Sequence, residues 1–202
     1  QSSGSRIFIA GSSEIFGINQ KEPVTCSTPT NPQNPYGTAK ADAFHLVRES
    51  RKIHGIYACT GVLFSHESPL RPQHFVSQKI IRGACAIAKG EQDKLHLGNL
   101  STKRDWGWAP EYVKAMEKML TLEEPRDFIL ATGKLNRLEA FVAQAFAVVG
   151  LDWQKHVVID EQLFRPNDGS HPLADTKDAT QCLGWTATTT MTGVVNNMVD
   201  AC

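Results

Sequence analysis

The sequence predicts an α/β fold built on parallel strands. Short apolar runs rich in β-branched and aromatic residues alternate along the chain with longer segments that carry apolar residues at helical spacing. Strands that read as continuous apolar runs are typical of parallel sheets, because helices cover both faces of such sheets. With 202 residues the chain can bury a substantial core and corresponds to one or at most two domains.

The first predicted strand covers residues 6–10 and is followed by Ser12 and Glu14. In open α/β sheets, ligands collect at the carboxyl ends of the strands, where loops can approach them. A hydroxyl and a carboxylate at this position are therefore candidate catalytic groups.

A helix is predicted to begin near Asn34 and Pro35, since Asn can cap a helix and Pro fits its first turn. It should end at about residue 54. In this register Tyr36 and Lys40 lie on one face, one turn apart. A phenol with an ordinary pKa of about 10 is a poor base at pH 7, but a neighbouring ammonium favours its anionic form. The pair is typical of a proton acceptor, although it also fits a solvated lysine beside a half-buried tyrosine.

A second predicted strand, residues 57–64, ends at Ser65 and His66. It brings further polar groups to the edge of the sheet at which the first strand ends. Taken alone, His66 is also explained as an ordinary loop histidine. Apolar stripes and breaker residues predict helices over 75–89, 109–120, 138–149, 175–183 and 191–200, and strands over 128–132 and 156–160. These stripes are interpreted as core rather than as binding surfaces.

The composition argues against several classes of function. The 21 basic and 21 acidic residues balance, which speaks against a nucleic acid or a membrane surface as partner. No apolar run approaches the roughly 18 residues of a membrane span, and the start of the sequence lacks the pattern of a signal peptide, so we expect a cytoplasmic protein. Five cysteines without a C-x-x-C pair and seven histidines without metal-ligand spacing predict reduced thiols and no metal site.

Longer motifs along the chain resemble those of one family. They are His66-Glu67-Ser68-Pro69, Phe75-Val76-Ser77-Gln78-Lys79-Ile80, Leu97-Gly98-Asn99-Leu100, Lys103-Arg104-Asp105-Trp106-Gly107, Ala131-Thr132-Gly133, Phe164-Arg165-Pro166 and Leu183-Gly184-Trp185. Together with the segment from Ser12 to Lys40, they closely resemble the GDP-mannose 4,6-dehydratases of the extended short-chain dehydrogenase/reductase superfamily. The resemblance covers nearly the whole chain.

The resemblance implies a divided fold. Residues 1–68 would form part of a Rossmann-like parallel sheet, its later strands only, and residues 69–202 a smaller α/β substrate-binding domain with some segments returning to the sheet. The Gly-rich dinucleotide-binding turn of the family does not occur in these 202 residues, and we expect it upstream. The chain is thus expected to be a fragment of a longer enzyme and inactive alone. Packing against a partner or a second copy, and a degenerate relative with rearranged packing, remain as alternatives.

The resemblance also implies an activity and the residues that perform it. The expected reaction converts GDP-mannose to GDP-4-keto-6-deoxymannose through internal hydride transfer on NADP, in a homo-oligomer that is a dimer or a tetramer. The implied catalytic residues are Ser12, Glu14, Tyr36 and Lys40. The implied cofactor-binding residues are Tyr36, Lys40, His66 and Arg71. The implied substrate-binding residues are Ser65, Lys79, Asn99, Arg104, Arg165 and Asp168, where the forked guanidinium of arginine suits paired phosphate oxygens.

Several positions depart from the family pattern. Ser12 replaces a threonine and keeps the hydroxyl, whereas Ser65 replaces an asparagine, Leu70 the first of two arginines and Asp168 a glutamate. These changes affect the expected sugar contacts, an inter-subunit cofactor contact near Leu70 and Arg71, and a ribose contact near Asp168. Two other classes stay open: an epimerase or reductase acting on another nucleotide sugar, and a non-catalytic relative that serves as a binding module.

Overall fold

The computed structural model describes residues 4–18, 20–164 and 169–202. Its helices are α1 (Pro35–His54), α2 (Val76–Ala88), α3 (Ala109–Thr121), α4 (Leu138–Val148), α5 (Trp153–His156), α6 (Lys177–Cys182) and α7 (Met191–Asp200). Its strands are β1 (Ile7–Ala10), β2 (Ala58–Leu63), β3 (Ser65–Glu67), β4 (Leu95–Leu97), β5 (Lys103–Arg104), β6 (Trp106–Trp108), β7 (Phe128–Leu130), β8 (Asn136–Arg137) and β9 (Val157–Ile159). Single 3-10 turns cover Ser13–Phe16 and Glu161–Leu163.

Three parallel strands form a sheet in the order β1-β2-β7. Ile7 pairs with Ala58 in β2, and Gly61 of β2 pairs with Phe128 in β7. Every residue of β2 is buried, as expected for a central parallel strand. The three strands predicted over 6–10, 57–64 and 128–132 are confirmed, as is the α/β fold class.

Helix α1 covers this sheet and has the predicted ends. The Asn34 side chain accepts a hydrogen bond from the Gly37 backbone N–H at 2.8 Å, and Gly55 ends the helix in the left-handed conformation with φ of 61°. Phe44 and Val47 face the core on the buried side of the helix. The local capping signals therefore fixed both ends of the element that carries Tyr36 and Lys40.

Asp127 connects the far end of α1 to the sheet. Its carboxylate accepts two hydrogen bonds from the Arg51 guanidinium, at 3.0 and 2.7 Å, and one from the Thr60 backbone N–H at 2.8 Å. The Asp127 side chain is 5% exposed. This ion pair joins α1, β2 and the start of β7 into one unit.

A separate hydrophobic core, away from the three-stranded sheet, lies between α2, α4 and α7. Its large, fully buried members include Trp106, Phe141 and Phe146. Around it, β3 pairs with β6 and β4 with β9 in parallel, while β5 and β8 are antiparallel. The sequence predicted α2, α3, α4 and α7 with ends shifted by at most two residues. The short strands β3, β4, β5, β6 and β8 were not predicted, because none of them lies in a longer apolar run.

Two predicted elements differ from the structure at their ends. The helix predicted over 175–183 is the shorter α6, and the strand predicted over 156–160 is β9, since His156 still belongs to the short helix α5. None of the helices in the described ranges combines the length and the apolar character that a membrane span requires.

Candidate active site

A cavity of about 1100 Å³ opens at the carboxyl ends of β1 and β2. It is bounded by the loop after β1, the start of α1, β3 and the segments around Asn99 and Arg104. Site residues predicted from the sequence line it together: Ser12, Glu14, Tyr36, Lys40, Ser65, His66, Arg71, Lys79, Asn99 and Arg104. The predicted residues Arg165 and Asp168 lie outside the described residues.

Ser12 and Glu14 are held by the 3-10 turn that follows β1. Ser12 caps this turn in an extended conformation, and its Oγ accepts a hydrogen bond from the Glu14 backbone N–H at 3.3 Å. Ser12 is 8% exposed, whereas Glu14 is half-buried. The turn thus places a buried hydroxyl and a more accessible carboxylate on one wall of the cavity.

The Glu14 carboxylate contacts the start of α1 through Asn34. Asn34 Nδ2 donates a hydrogen bond to Glu14 Oε2 at 2.5 Å, while Asn34 Oδ1 caps the helix. Gly37 also lies against Glu14, since a Cβ at position 37 would be 2.8 Å from the Glu14 carbonyl oxygen. Sequence reasoning identified Asn34 only as a helix cap. A contact between residues 20 positions apart gives no local pattern.

Tyr36 and Lys40 lie on one face of α1 at the cavity. Lys40 Nζ donates a hydrogen bond to the Ala10 carbonyl oxygen, the last of β1, at 2.8 Å. The same Nζ is 5.7 Å from the centroid of the Tyr36 ring, and Tyr36 is 55% exposed. The ammonium is therefore fixed between the sheet and the phenol, and the phenol remains accessible to a ligand.

His66 has a defined tautomer on β3. Its Nδ1 lies 2.8 Å from the Phe64 carbonyl oxygen, which can only accept, so Nδ1 carries the proton and Nε2 is left as an acceptor in the neutral ring. The ring stacks against Tyr112 with centroids 5.2 Å apart. Burial raises the pKa of Tyr112 well above its usual value, so the stacking partner stays uncharged.

Arg71 is held by a buried acid. Its Nε lies 3.3 Å from Glu67 Oε2, and its guanidinium carbon lies 3.7 Å from the centroid of the Phe75 ring. Glu67 is 2% exposed and also accepts a hydrogen bond from Ser77 Oγ at 2.8 Å. The neighbouring Leu70 is 92% exposed. The loop thus presents a fixed cation that lines the cavity, next to an exposed apolar side chain.

Arg104 is oriented by a histidine that the sequence did not reveal. Its Nη1 donates a hydrogen bond to His171 Nε2 at 2.7 Å. Burial, together with the neighbouring Arg104 charge, lowers the pKa of His171 to about 3. His171 is therefore neutral at physiological pH and accepts from the guanidinium. The two residues are 67 positions apart, so no motif joined them.

Lys79 and Asn99 line the cavity but are also tied to nearby backbone. Lys79 Nζ donates to the His96 carbonyl oxygen at 2.7 Å, and Asn99 Oδ1 accepts from the Ser101 N–H and hydroxyl at 2.9 and 2.7 Å. In the described part of the chain, no cluster of three or more His, Cys, Asp or Glu is arranged to hold a metal ion.

Comparison with known proteins connects this cavity to a family. Residues 1–198 match the family model described as GDP-mannose 4,6 dehydratase. The chain belongs to the GDP-mannose 4,6-dehydratase family. It is 40% identical to GDP-mannose 4,6 dehydratase 1 of Arabidopsis thaliana over 195 residues, which are 96% of this chain and 54% of that protein. It is 35% identical to the GDP-mannose 4,6 dehydratase of Homo sapiens over 213 residues, 97% of this chain and 57% of that protein.

Solved structures share the fold of this GDP-mannose 4,6-dehydratase family member at low sequence identity. The structure of RMD from Pseudomonas aeruginosa complexed with NADPH has a TM-score of 0.89 at 16% identity, covering 99% of this chain and 67% of that one. The dTDP-glucose 4,6-dehydratase of Bacillus anthracis in complex with NAD has a TM-score of 0.84 at 16% identity, covering 97% and 61%. These matches confirm the fold. The chain itself spans just over half the length of the two relatives named above.

A buried acid holds two of the motifs of the GDP-mannose 4,6-dehydratase family together in this chain. Asp105 is 1% exposed and accepts hydrogen bonds from the Thr132 N–H, the Thr132 hydroxyl and the Lys134 N–H, at 3.0, 2.8 and 3.1 Å. Burial raises the pKa of Asp105, and the hydrogen bonds from Thr132 partly offset that increase. Asp105 thereby fixes the segment that carries Arg104 against the loop after β7.

Proposed function

We propose that the protein to which this chain belongs is a GDP-mannose 4,6-dehydratase. It would convert GDP-mannose to GDP-4-keto-6-deoxymannose with NADP, with the net loss of one water. The observation that carries the proposal is that Ser12, Glu14, Tyr36 and Lys40 line one cavity of about 1100 Å³. The family membership, with relatives named GDP-mannose 4,6 dehydratase at 35% and 40% identity, supports the choice of substrate.

Tyr36 is the proposed base for the sugar 4-hydroxyl. Lys40 Nζ lies 5.7 Å from its ring centroid, so an ammonium stands beside the phenol. The hydrogen bond from Lys40 to the Ala10 carbonyl fixes that charge at the end of β1. Ser12 lies on the same wall and would hydrogen-bond the reacting hydroxyl. Tyr36 thus takes the hydroxyl proton as C4 becomes a ketone.

Glu14 is the proposed acid and base for the elimination. Once C4 is a ketone, the proton on C5 becomes acidic. Glu14 removes this proton and delivers it to the 6-hydroxyl, which leaves as water. The half-buried carboxylate is close to the cavity and accessible to a substrate. This additional acid/base group distinguishes a dehydratase from a reductase or an epimerase.

The residues at the carboxyl ends of β1 and β2 fit a nicotinamide ring and its ribose. Tyr36, Lys40 and His66 present a phenol, an ammonium and an imidazole acceptor to the cavity, and Arg71 adds a fixed cation. NADP held by these residues would supply the hydride acceptor and donor that the reaction needs. That structures with the same fold hold NADPH or NAD supports a nicotinamide cofactor, and the choice of NADP rests on the family resemblance.

Other residues that line the cavity suit the GDP part of the substrate. Arg104 offers a planar, forked donor for phosphate oxygens, and His171 keeps it oriented. Lys79, Asn99 and Ser65 line the same cavity and are proposed nucleotide-sugar contacts. Arg165 and Asp168 are proposed contacts on grounds of family resemblance. We further propose a cytoplasmic homo-oligomer, a dimer or a tetramer.

The test is incubation of the full-length protein with GDP-mannose and NADP⁺, followed by mass spectrometry of the product. A dehydratase gives a product lighter by one water. An epimerase leaves the mass unchanged and a binding module gives no product, so either outcome would refute the proposal. A variant with Tyr36→Phe serves as the matched inactive control, since it keeps the ring and removes the proton acceptor.

A further inference from the structure

The Asn34 side chain contacts both halves of the proposed catalytic centre. Its Oδ1 accepts from the Gly37 N–H at 2.8 Å and so caps α1, the helix that carries Tyr36 and Lys40. Its Nδ2 donates to Glu14 Oε2 at 2.5 Å. The Asn34 amide therefore links Glu14, the proposed base for elimination, to the helix that carries Tyr36, the proposed base for the 4-hydroxyl.

The backbone around this contact is fixed independently of Asn34. Gly37 lies so close to the Glu14 carbonyl oxygen that a Cβ would be 2.8 Å away. The Asn31 N–H donates to the Ile15 carbonyl oxygen at 2.8 Å, which ties the loop before α1 to the 3-10 turn. With the turn and the helix in contact, the position of the Glu14 carboxylate depends mainly on its side-chain torsions. Among the residues that the structure describes, the Asn34 amide is the hydrogen-bond donor to its carboxylate.

We propose that Asn34 is a positioning residue for Glu14. By holding Oε2, it fixes the carboxylate in register with Tyr36 and leaves Oε1 to the substrate. This inference rests on the proposed function of Glu14 in elimination. Proton transfer depends steeply on geometry, and a displacement of about 1 Å can cost on the order of 100-fold in rate.

The two contacts of Asn34 can be separated by substitution. Serine and aspartate are both good helix caps, so Asn34→Ser and Asn34→Asp retain the bond to Gly37. Serine is too short to replace the amide donor to Glu14. Aspartate instead places a second carboxylate beside it, and two neighbouring carboxylates resist being ionised together. Asn34→Ala removes both contacts and measures the cost of the lost cap.

The first experiment compares these variants in the full-length enzyme. We expect Asn34→Ser to lower kcat for water loss by roughly 10- to 100-fold, with KM within about twofold of wild type and an unchanged unfolding temperature. We expect Asn34→Asp to shift the acidic limb of the kcat pH profile upward by about one unit. Asn34→Ser with wild-type kcat, or a loss of kcat that follows the unfolding temperature across all three variants, would overturn the proposal.

A second experiment is independent of turnover. The Glu14 carboxyl carbon is followed by NMR during acid titration of wild type, Asn34→Ser and Asn34→Asp. We expect its midpoint to be highest in Asn34→Asp, where a second carboxylate stands beside it. Equal midpoints in all three would refute the contact. If the wild-type protein does not dehydrate GDP-mannose but the midpoints still differ between wild type and Asn34→Asp, the proposed function is refuted and the Asn34 contact stands.

Discussion

Removing the Asp127 carboxylate should destabilise the protein strongly, because it accepts three hydrogen bonds. In Asp127→Ala, the Arg51 guanidinium loses its two hydrogen bonds to Asp127 and keeps the one to the Ala58 carbonyl oxygen. The N–H of Thr60, a residue that is 0% exposed, loses its side-chain acceptor. Breaking a buried ion pair by removing one partner costs about 3 to 5 kcal/mol. Arg51 retains 21% of its side-chain exposure, so water recovers part of that loss. We expect about 3 kcal/mol.

The neighbouring Arg48 provides a matched control on the same carboxylate. Its Nε lies 3.7 Å from Asp127 and its side chain is 46% exposed. An exposed ion pair contributes about 0 to 1 kcal/mol. Arg48→Ala should therefore cost far less than Arg51→Ala, although both remove one arginine from α1.

Urea denaturation of the full-length protein measures these differences as shifts of the unfolding midpoint. A double-mutant cycle between Arg51 and Asp127 should give a coupling free energy of at least about 1.5 kcal/mol, within the range found for residues that share one network. Equal losses for Arg48→Ala and Arg51→Ala, or a coupling below about 0.5 kcal/mol, would show that the buried geometry does not control stability here.

Three further predictions concern the cavity. Glu14→Gln should preserve oxidation of the 4-hydroxyl but slow water loss by at least ~100-fold, the usual effect of losing a general base. Cofactor absorbance would report the oxidation and product mass the loss of water. Unchanged dehydration would show that Glu14 is not the base for elimination. Arg104→Lys should weaken GDP binding about tenfold in calorimetry, because a single ammonium cannot make the forked contact. Guanosine, which has no phosphates, should bind to both proteins equally, and unchanged binding of GDP would contradict this assignment. Because the folded pKa of His171, about 3, lies below the ordinary value of 6.5, the unfolded state binds the proton first. Stability should therefore fall as pH decreases from about 6.5 towards 3, by up to about 1.4 kcal/mol per unit. His171→Gln should lose this part of the pH dependence, and identical profiles for the two proteins would refute it.

Local signals carried much of the fold. The ends of α1 followed from Asn34, Pro35 and Gly55, because capping and helix termination depend on residues adjacent in the chain. Strand β2 followed from an unbroken apolar run. Each feature depends on residues within one element, so it can be predicted from a single sequence.

Contacts between distant segments were beyond such reasoning. The sequence placed Glu14 and Asn34 in separate elements, but the hydrogen bond between them depends on how the 3-10 turn packs against α1. His171 gave no signal at all, because its role comes only from its contact with Arg104. The family resemblance supplied the candidates for the cavity, and the packing supplied the residues that orient them.

The close approach of Gly37 to Glu14 limits how this centre can change. Alanine is a better helix former than glycine by about 1 kcal/mol, so helix propensity alone would favour Gly37→Ala. The added methyl group would meet the Glu14 carbonyl oxygen at 2.8 Å and force the helix and the turn apart. The separation between acid and phenol is thus set by contact between main-chain atoms. Attempts to redesign sugar preference would do better to vary other residues that line the cavity.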